Sequence, residues 1–272
     1  MKKSKILIVS DMCGYGKVAA AAQMPIFSYM GHDVFTLPTM LISNTFPYGK
    51  YAIMESTSYI KEALEKWEEL GFRFDAITTG FMASEEQAQM VAQYCRKQAA
   101  RGTVVFVDPV MGDYGKLYGG ADERTIACMR EMLRVAHLCF PNYTEACLLT
   151  DMPYHEEGIT SEEAEELVDK VRKIGARSVI ITSCIVNGEH AVVGYNHYSD
   201  THFLLPYEEI PVAFPGTGDI FSSIIVGRLQ DGDMLKNATR YAMDMLHHWI
   251  DMNKDNEDKN RGIPIERHLS EL

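Results

Sequence analysis

The 272-residue chain is short of positive charge: 26 lysines and arginines stand against 38 aspartates and glutamates, a formal net charge of −12. That balance argues against a sequence-independent hold on nucleic acid or on an acidic membrane surface. It leaves room for a nucleotide, which needs only a local pocket of donors and a metal. No apolar run approaches the length of a membrane span, and Ile6-Leu7-Ile8-Val9 after Met1-Lys2-Lys3 is too short for a secretion signal. The six cysteines (Cys13, Cys95, Cys128, Cys139, Cys147 and Cys184) form no C-x-x-C pair and no zinc spacing. They are expected as core thiols in a reducing compartment, and the protein as cytoplasmic. The Walker pattern G-x-x-x-x-G-K-[ST] is also absent, so Gly14-Tyr15-Gly16-Lys17 is not read as a phosphate loop. With no internal repeat and no Pro/Ser-rich linker, residues 1–272 are expected to form one domain.

What the chain does have is a steady alternation of short β-rich runs and helix-period segments. Strands are expected at 6–9, 34–37, 76–79, 104–107, 138–140 and 179–182, and an antiparallel hairpin at 191–195 and 202–205. Helices are expected at 17–30, 59–70, from Ser84 to before Gly102, 123–134, 144–149, from Thr160 to Gly175, 220–229 and 233–250. Ser84 with Gln87, and Thr160 with Glu163, have the spacing of capping boxes. Buried strands separated by helices imply an α/β fold with a largely parallel sheet and helices on both faces. Asp251, Asn253 and Asp255 imitate the opening of a calcium loop, but Asn256 and Gly262 occupy the positions that need Gly and Glu. The charged residues from about 253 are therefore expected to be a solvated tail, or else a last helix.

In such a sheet, ligands gather where strands give way to loops at their carboxyl ends. Pro215-Gly216-Thr217-Gly218-Asp219 is a glycine-rich turn running straight into an apolar helix, a geometry that turns successive amides toward one anion. Asp219 opposes a phosphate there, unless its task is to take a proton from the attacking group. Alone, the turn equally suits a plain helix start with a dipole-favoured aspartate. Asp108, after the strongest β run, is costly to bury without a cation or several donors. Asn142 and Glu145 stand at i and i+3 after another strand, where Glu145 is either a metal-facing carboxylate or an ordinary first-turn one. Several carboxylates beside an anion turn suit Mg²⁺.

With these residues assembled, the chain resembles the pyridoxal kinase branch of the ribokinase-like superfamily. Asp108-Pro109-Val110-Met111-Gly112-Asp113, Leu117-Tyr118, Pro141-Asn142-Tyr143-Thr144-Glu145-Ala146, Thr182-Ser183 and Gly216-Thr217-Gly218-Asp219-Ile220-Phe221 follow the family order, as do Ser10, Ser43-Asn44 and Thr79-Gly80-Phe81. The resemblance spans roughly residues 5 to 250. It implies a three-layer α/β/α fold and ATP-dependent phosphorylation of the hydroxymethyl group of pyridoxal, with pyridoxine and pyridoxamine as further acceptors. Asp219 resembles the general base, and the amides of Gly216, Thr217 and Gly218 resemble the anion hole. Ser10, Thr45 and Phe81 resemble acceptor contacts. Asp108, Asn142, Glu145, Thr182, Ser183 and Gly218 resemble the ATP site, with Asp108 and Glu145 near Mg²⁺ and Asp113 a weaker candidate. A homodimer and a monovalent cation such as K⁺ are implied in the same way.

The acceptor pocket departs from the family pattern. Phe81 stands where many members carry tyrosine, Thr45 comes one position early, and Ser10-Asp11-Met12-Cys13-Gly14 is closer to the hydroxymethylpyrimidine kinases of thiamine synthesis. Those enzymes commonly carry cysteine at the position of Asp219, which ranks them second. A binding or sensing homologue without catalysis would normally have lost one of Asp108, Glu145 and Asp219, and all three remain.

Overall fold

Ile6, Leu7, Ile8 and Val9 are fully buried, and they open the strand around which the first part of the fold is built. The computed structural model describes residues 3–119 and 121–272. In chain order the elements begin β1 (Lys5–Tyr15), α1 (Ala19–Tyr29), β2 (Asp33–Asn44), β3 (Ile53–Glu55), α2 (Thr57–Glu69) and β4 (Ala76–Thr79). They continue with α3 (Glu85–Ala99), β5 (Val104–Val107), β6 (Gly112–Asp113), β7 (Lys116–Leu117), α4 (Glu123–Leu133), β8 (Leu138–Cys139), α5 (Tyr143–Thr150) and α6 (Ser161–Ile174). The last are β9 (Ser178–Val186), β10 (Glu189–Asn196), β11 (Thr201–Pro206), α7 (Thr217–Gln230) and α8 (Leu235–Asn253). Two compact units result: residues 3–83 with Ile210–Leu272, and Ser84–Glu209.

In the first unit the strand order is β4-β1-β2-β3, with β1 parallel to β2 and β4, and β3 antiparallel to β2 at the edge. Helix α7 packs against α1 and α8. In the second unit β5, β8 and β9 run parallel, and β9, β10 and β11 run antiparallel. This is the mixed α/β arrangement expected, with parallel strands and the anticipated hairpin. The helix starts follow local chemistry. Ser84 Oγ accepts the Gln87 amide at 3.2 Å, and Thr160 and Glu163 exchange hydrogen bonds of 3.2 and 2.8 Å. All six cysteines are buried and unpaired.

Three strands run well past their apolar cores. β1 continues through Ser10 and Asp11 to Tyr15 because its ladder with β2 resumes after a register shift, from Ser10 opposite Pro38 to Met12 opposite Leu41. Backbone pairing carries the strand where hydrophobic alternation stops. β2 and β9 lengthen likewise, and the exposed β3 has no apolar alternation to announce it.

The C-terminal segment corrects the expectation of a solvated tail. Beyond α8 the chain folds into short 3-10 turns at Lys259–Arg261, Ile265–Arg267 and Leu269–Glu271, and Ile263 and Ile265 are fully buried. Trp249 donates to Glu271 at 2.8 Å and stacks on His268, whose ring also meets Asn253 at 2.8 Å. Charged residues at 251–261 hide two apolar anchors that come only afterwards, which is why composition misleads here. Ile265→Ala should lower the unfolding free energy by about 2–5 kcal/mol in urea denaturation. A change within about 0.5 kcal/mol, the surface value, would contradict this packing.

Candidate active site

Gly216 caps α7 in the left-handed conformation, φ 88°. A side chain there would collide with the Lys17 carbonyl and lie 3.2 Å from Val18 Cα, so glycine is required by both backbone angle and close approach. No side chain caps this helix end. The first-turn amides of Thr217, Gly218 and Asp219 have no acceptor inside a helix and remain available to an anion. At Gly218 an added Cβ would meet nothing within 4 Å, so open space lies over the turn.

Asp219 stands in this first turn, and its Oδ2 accepts the Ala19 amide at 2.7 Å. Ala19 itself is left-handed, φ 49°, unusual outside glycine, and this turns its N–H to the carboxylate. Desolvation raises the Asp219 carboxyl to about 7; the Ala19 amide opposes the rise and the negative charge of Asp11 adds to it. A carboxyl poised near neutrality is both a competent base and a weaker repellent of phosphate than a fully charged one.

Asp11 is visible in the sequence as a polar residue after a strand, with nothing there to give it a role. It is half-buried at the register shift of β1, and burial lifts its carboxyl to about 6, against the hydrogen bonds of its own backbone and Ser10. Its neighbour Met12 forms a backbone bridge with Ala19, the residue that holds Asp219. Ser10 is 2 % exposed, its hydroxyl lies 3.4 Å from Asp11 Oδ1, and a Cβ on Gly80 would come within 2.5 Å of that hydroxyl. Phe81 packs half-buried on Cys13, Met40 and Ile42, and its carbonyl accepts the Thr39 hydroxyl at 2.8 Å. Thr45 is buried, and its hydroxyl donates to the Asn260 carbonyl at 2.6 Å. The Thr45 proton is thus committed to the C-terminal segment, and only its lone pairs remain for an acceptor molecule.

The other group of candidates belongs to the second unit. Asn142 caps α5: its Oδ1 accepts the Glu145 amide at 2.9 Å and its Nδ2 donates to the Gly112 carbonyl at 2.8 Å. Glu145 is 3 % exposed, with Oε2 accepting the Asn142 amide at 2.9 Å and Oε1 the Met111 amide at 3.0 Å. Glu145 thus closes a capping box at the first turn of α5, the local arrangement that the i, i+3 spacing allowed. Burial drives its carboxyl to about 8, opposed by the amides of Asn142, Met111 and Gly112 and reinforced by Asp113. Asp113 is itself raised by burial. Thr182 meets Asn142 in a parallel bridge, its amide donating to Pro141 at 3.1 Å, while the neighbouring Ser183 is exposed with φ 59°. Asp108 is half-buried beyond β5; burial raises the Cys139 thiol, and the Asp108 charge adds to the rise.

These oxygen donors fit a hard cation such as Mg²⁺ in type. Among the described residues, no three His, Cys, Asp or Glu side chains converge on one point. A site of this kind suits a cation that keeps water and phosphate oxygens as most of its ligands.

Residues 29–263 match the family model described as phosphomethylpyrimidine kinase. A Schizosaccharomyces pombe protein provisionally named pyridoxal kinase is 29% identical over 239 residues, covering 84% of this chain and 68% of that one. A Bacteroides thetaiotaomicron protein, provisionally assigned as a phosphomethylpyrimidine kinase and crystallised with pyridoxal, superposes with a TM-score of 0.93 at 33% identity over 99% of this chain and 96% of that chain. Pyridoxal kinase from Lactobacillus plantarum gives 0.89 at 26% identity, covering 99% and 96%. The chain belongs to the phosphomethylpyrimidine kinase family and, with its pyridoxal kinase relatives, to the ribokinase-like superfamily.

Proposed function

We propose that this protein transfers the γ-phosphoryl group of ATP to the 5′-hydroxymethyl group of a B6 vitamer, pyridoxal foremost, giving pyridoxal 5′-phosphate. The observation that carries the proposal is Asp219, a carboxylate raised to about 7 in the first turn of an uncapped helix. Its oxygen would take the hydroxyl proton as the acceptor attacks in line, and the amides of the turn would hold the transferring group. Ser10, Phe81 and Thr45 would orient the ring, Phe81 by stacking and Thr45 through its lone pairs. Asp108 and Glu145 would hold Mg²⁺, with Asp113 beside them, and Asn142, Thr182 and Ser183 would line the nucleotide. The metal would screen the phosphate charge.

The names of the relatives and the pyridoxal in the Bacteroides crystal support a B6 acceptor. Hydroxymethylpyrimidine phosphorylation is second, since its usual cysteine is replaced by Asp219. The same proposal includes a monovalent cation such as K⁺, a cytoplasmic location and a homodimer, for which exposed Phe46, Tyr51, Ile53 and Met54 around edge strand β3 offer an apolar surface.

With Mg-ATP and a panel of pyridoxal, pyridoxine, pyridoxamine and hydroxymethylpyrimidine, phosphate should appear on the B6 vitamers, with pyridoxal giving the highest kcat/KM. Transfer to the pyrimidine alone, or to none of the four, would reject the assignment. Asp219→Asn should lower kcat by about 10²–10⁴-fold and leave ATP affinity nearly unchanged. Wild-type turnover in that variant would remove Asp219 from the chemistry.

A further inference from the structure

The contacts of the C-terminal segment extend beyond packing. The Arg261 carbonyl accepts the Lys17 amide at 2.8 Å, the Asn260 carbonyl accepts the Thr45 hydroxyl, and Asp258 accepts the Tyr48 hydroxyl at 2.6 Å. Lys17 and Glu266 form an ion pair. Gly262, at φ 82°, lies so close to the chain that a Cβ would stand 2.9 Å from the Pro215 carbonyl oxygen and 3.0 Å from that of Lys17. The Lys17 carbonyl is therefore flanked by Gly262 on the C-terminal segment and by Gly216 on the anion turn. Two residues further on, Ala19 donates to Asp219.

Resting on the kinase assignment above, we propose that residues 258–266 form a brace that positions the base and the anion turn, with Gly262 and Glu266 as positioning residues. An uncapped helix start and a left-handed alanine have little local reason to stay fixed. The brace supplies that constraint from outside, and the buried Ile263 and Ile265 anchor it. It acts on Asp219 through residues 17–19 and, at Pro215, through the start of the anion turn.

The sign of the effect follows from the contacts. The Ala19 amide favours the charged carboxylate and lowers its pKa. A loosened brace weakens that hydrogen bond, so the carboxyl should titrate at higher pH. Asp11 on β1 pushes in the same upward direction and is untouched by the change. Of the other charged groups on the surrounding elements, Lys17 pairs with Glu266, which the Arg261 charge also favours as a carboxylate, Arg228 of α7 with Asp233, and Arg240 with Asp244 on α8.

The test is Gly262→Ala, read by turnover and by ¹³C NMR titration of the Asp219 carboxyl in full-length protein labelled at aspartate. We expect kcat to fall about 10–100-fold, the KM for Mg-ATP to hold within about threefold, and the titration midpoint to rise by about half a pH unit or more. A folded variant with wild-type kcat and an unmoved midpoint would overturn the brace. Should Gly262→Ala fail to fold, the double variant Tyr48→Phe with Glu266→Gln is judged on the same readouts. It should lower kcat about threefold or more and raise the midpoint, and no change in either would overturn the proposal. The midpoint is independent of turnover. If the wild-type protein phosphorylates no B6 vitamer, the kinase assignment fails, while the NMR shift still decides the brace.

Discussion

One hydrogen bond, from the Ala19 amide to the Asp219 carboxylate, ties together the helix starts of the proposed site in the first unit. It joins the start of α1 to the start of α7, two helix ends that carry unsatisfied amides and would otherwise hold their own water. Everything around it constrains one partner or the other. Gly216 lets α7 begin against Lys17, Gly262 presses on the same carbonyl, and the Met12–Ala19 bridge connects the pair to β1. The bond also regulates charge. It is the stabilising contact for an anion that burial and Asp11 both disfavour, and the balance leaves the carboxyl near neutrality.

The two candidate carboxylates at helix starts show how differently one device is used. Glu145 is clasped by backbone amides on both oxygens, and despite this support its burial pushes it to about 8. Its geometry is that of a residue which shapes the loop 111–113 and the start of α5. Asp219 has a single amide donor and lies beside uncapped first-turn amides and the open space at Gly218. The first arrangement suits orienting donors around a cation, the second suits a proton acceptor.

Much of this was legible in the sequence. The strands at 76–79 and 104–107 and the capping box at 160–163 coincide with their local signals, because propensity, apolar pattern and capping chemistry point the same way. The helix start at 216–219 was readable because Gly216 there meets a left-handed backbone angle and a close approach that only glycine allows. Long-range contacts were not readable. Nothing local in Asp11 indicates that its charge acts on Asp219, and nothing in Asn260 or Gly262 indicates that they meet Thr45 and Lys17. The C-terminal segment misled for a related reason, its charges preceding the apolar anchors that fix it.

The most direct measurement is the pH dependence of kcat/KM for pyridoxine, with saturating Mg-ATP, which reports the ionisations of the enzyme form that meets the acceptor. Asp219 accepts a proton only when charged, so activity should fall as the pH drops through the carboxyl pKa. The account predicts an acid limb with a midpoint of about 7, shifted to lower pH in Asp11→Asn, where the neighbouring negative charge is gone. A profile flat from about pH 5 to 8, or a limb unmoved in that variant, would contradict it.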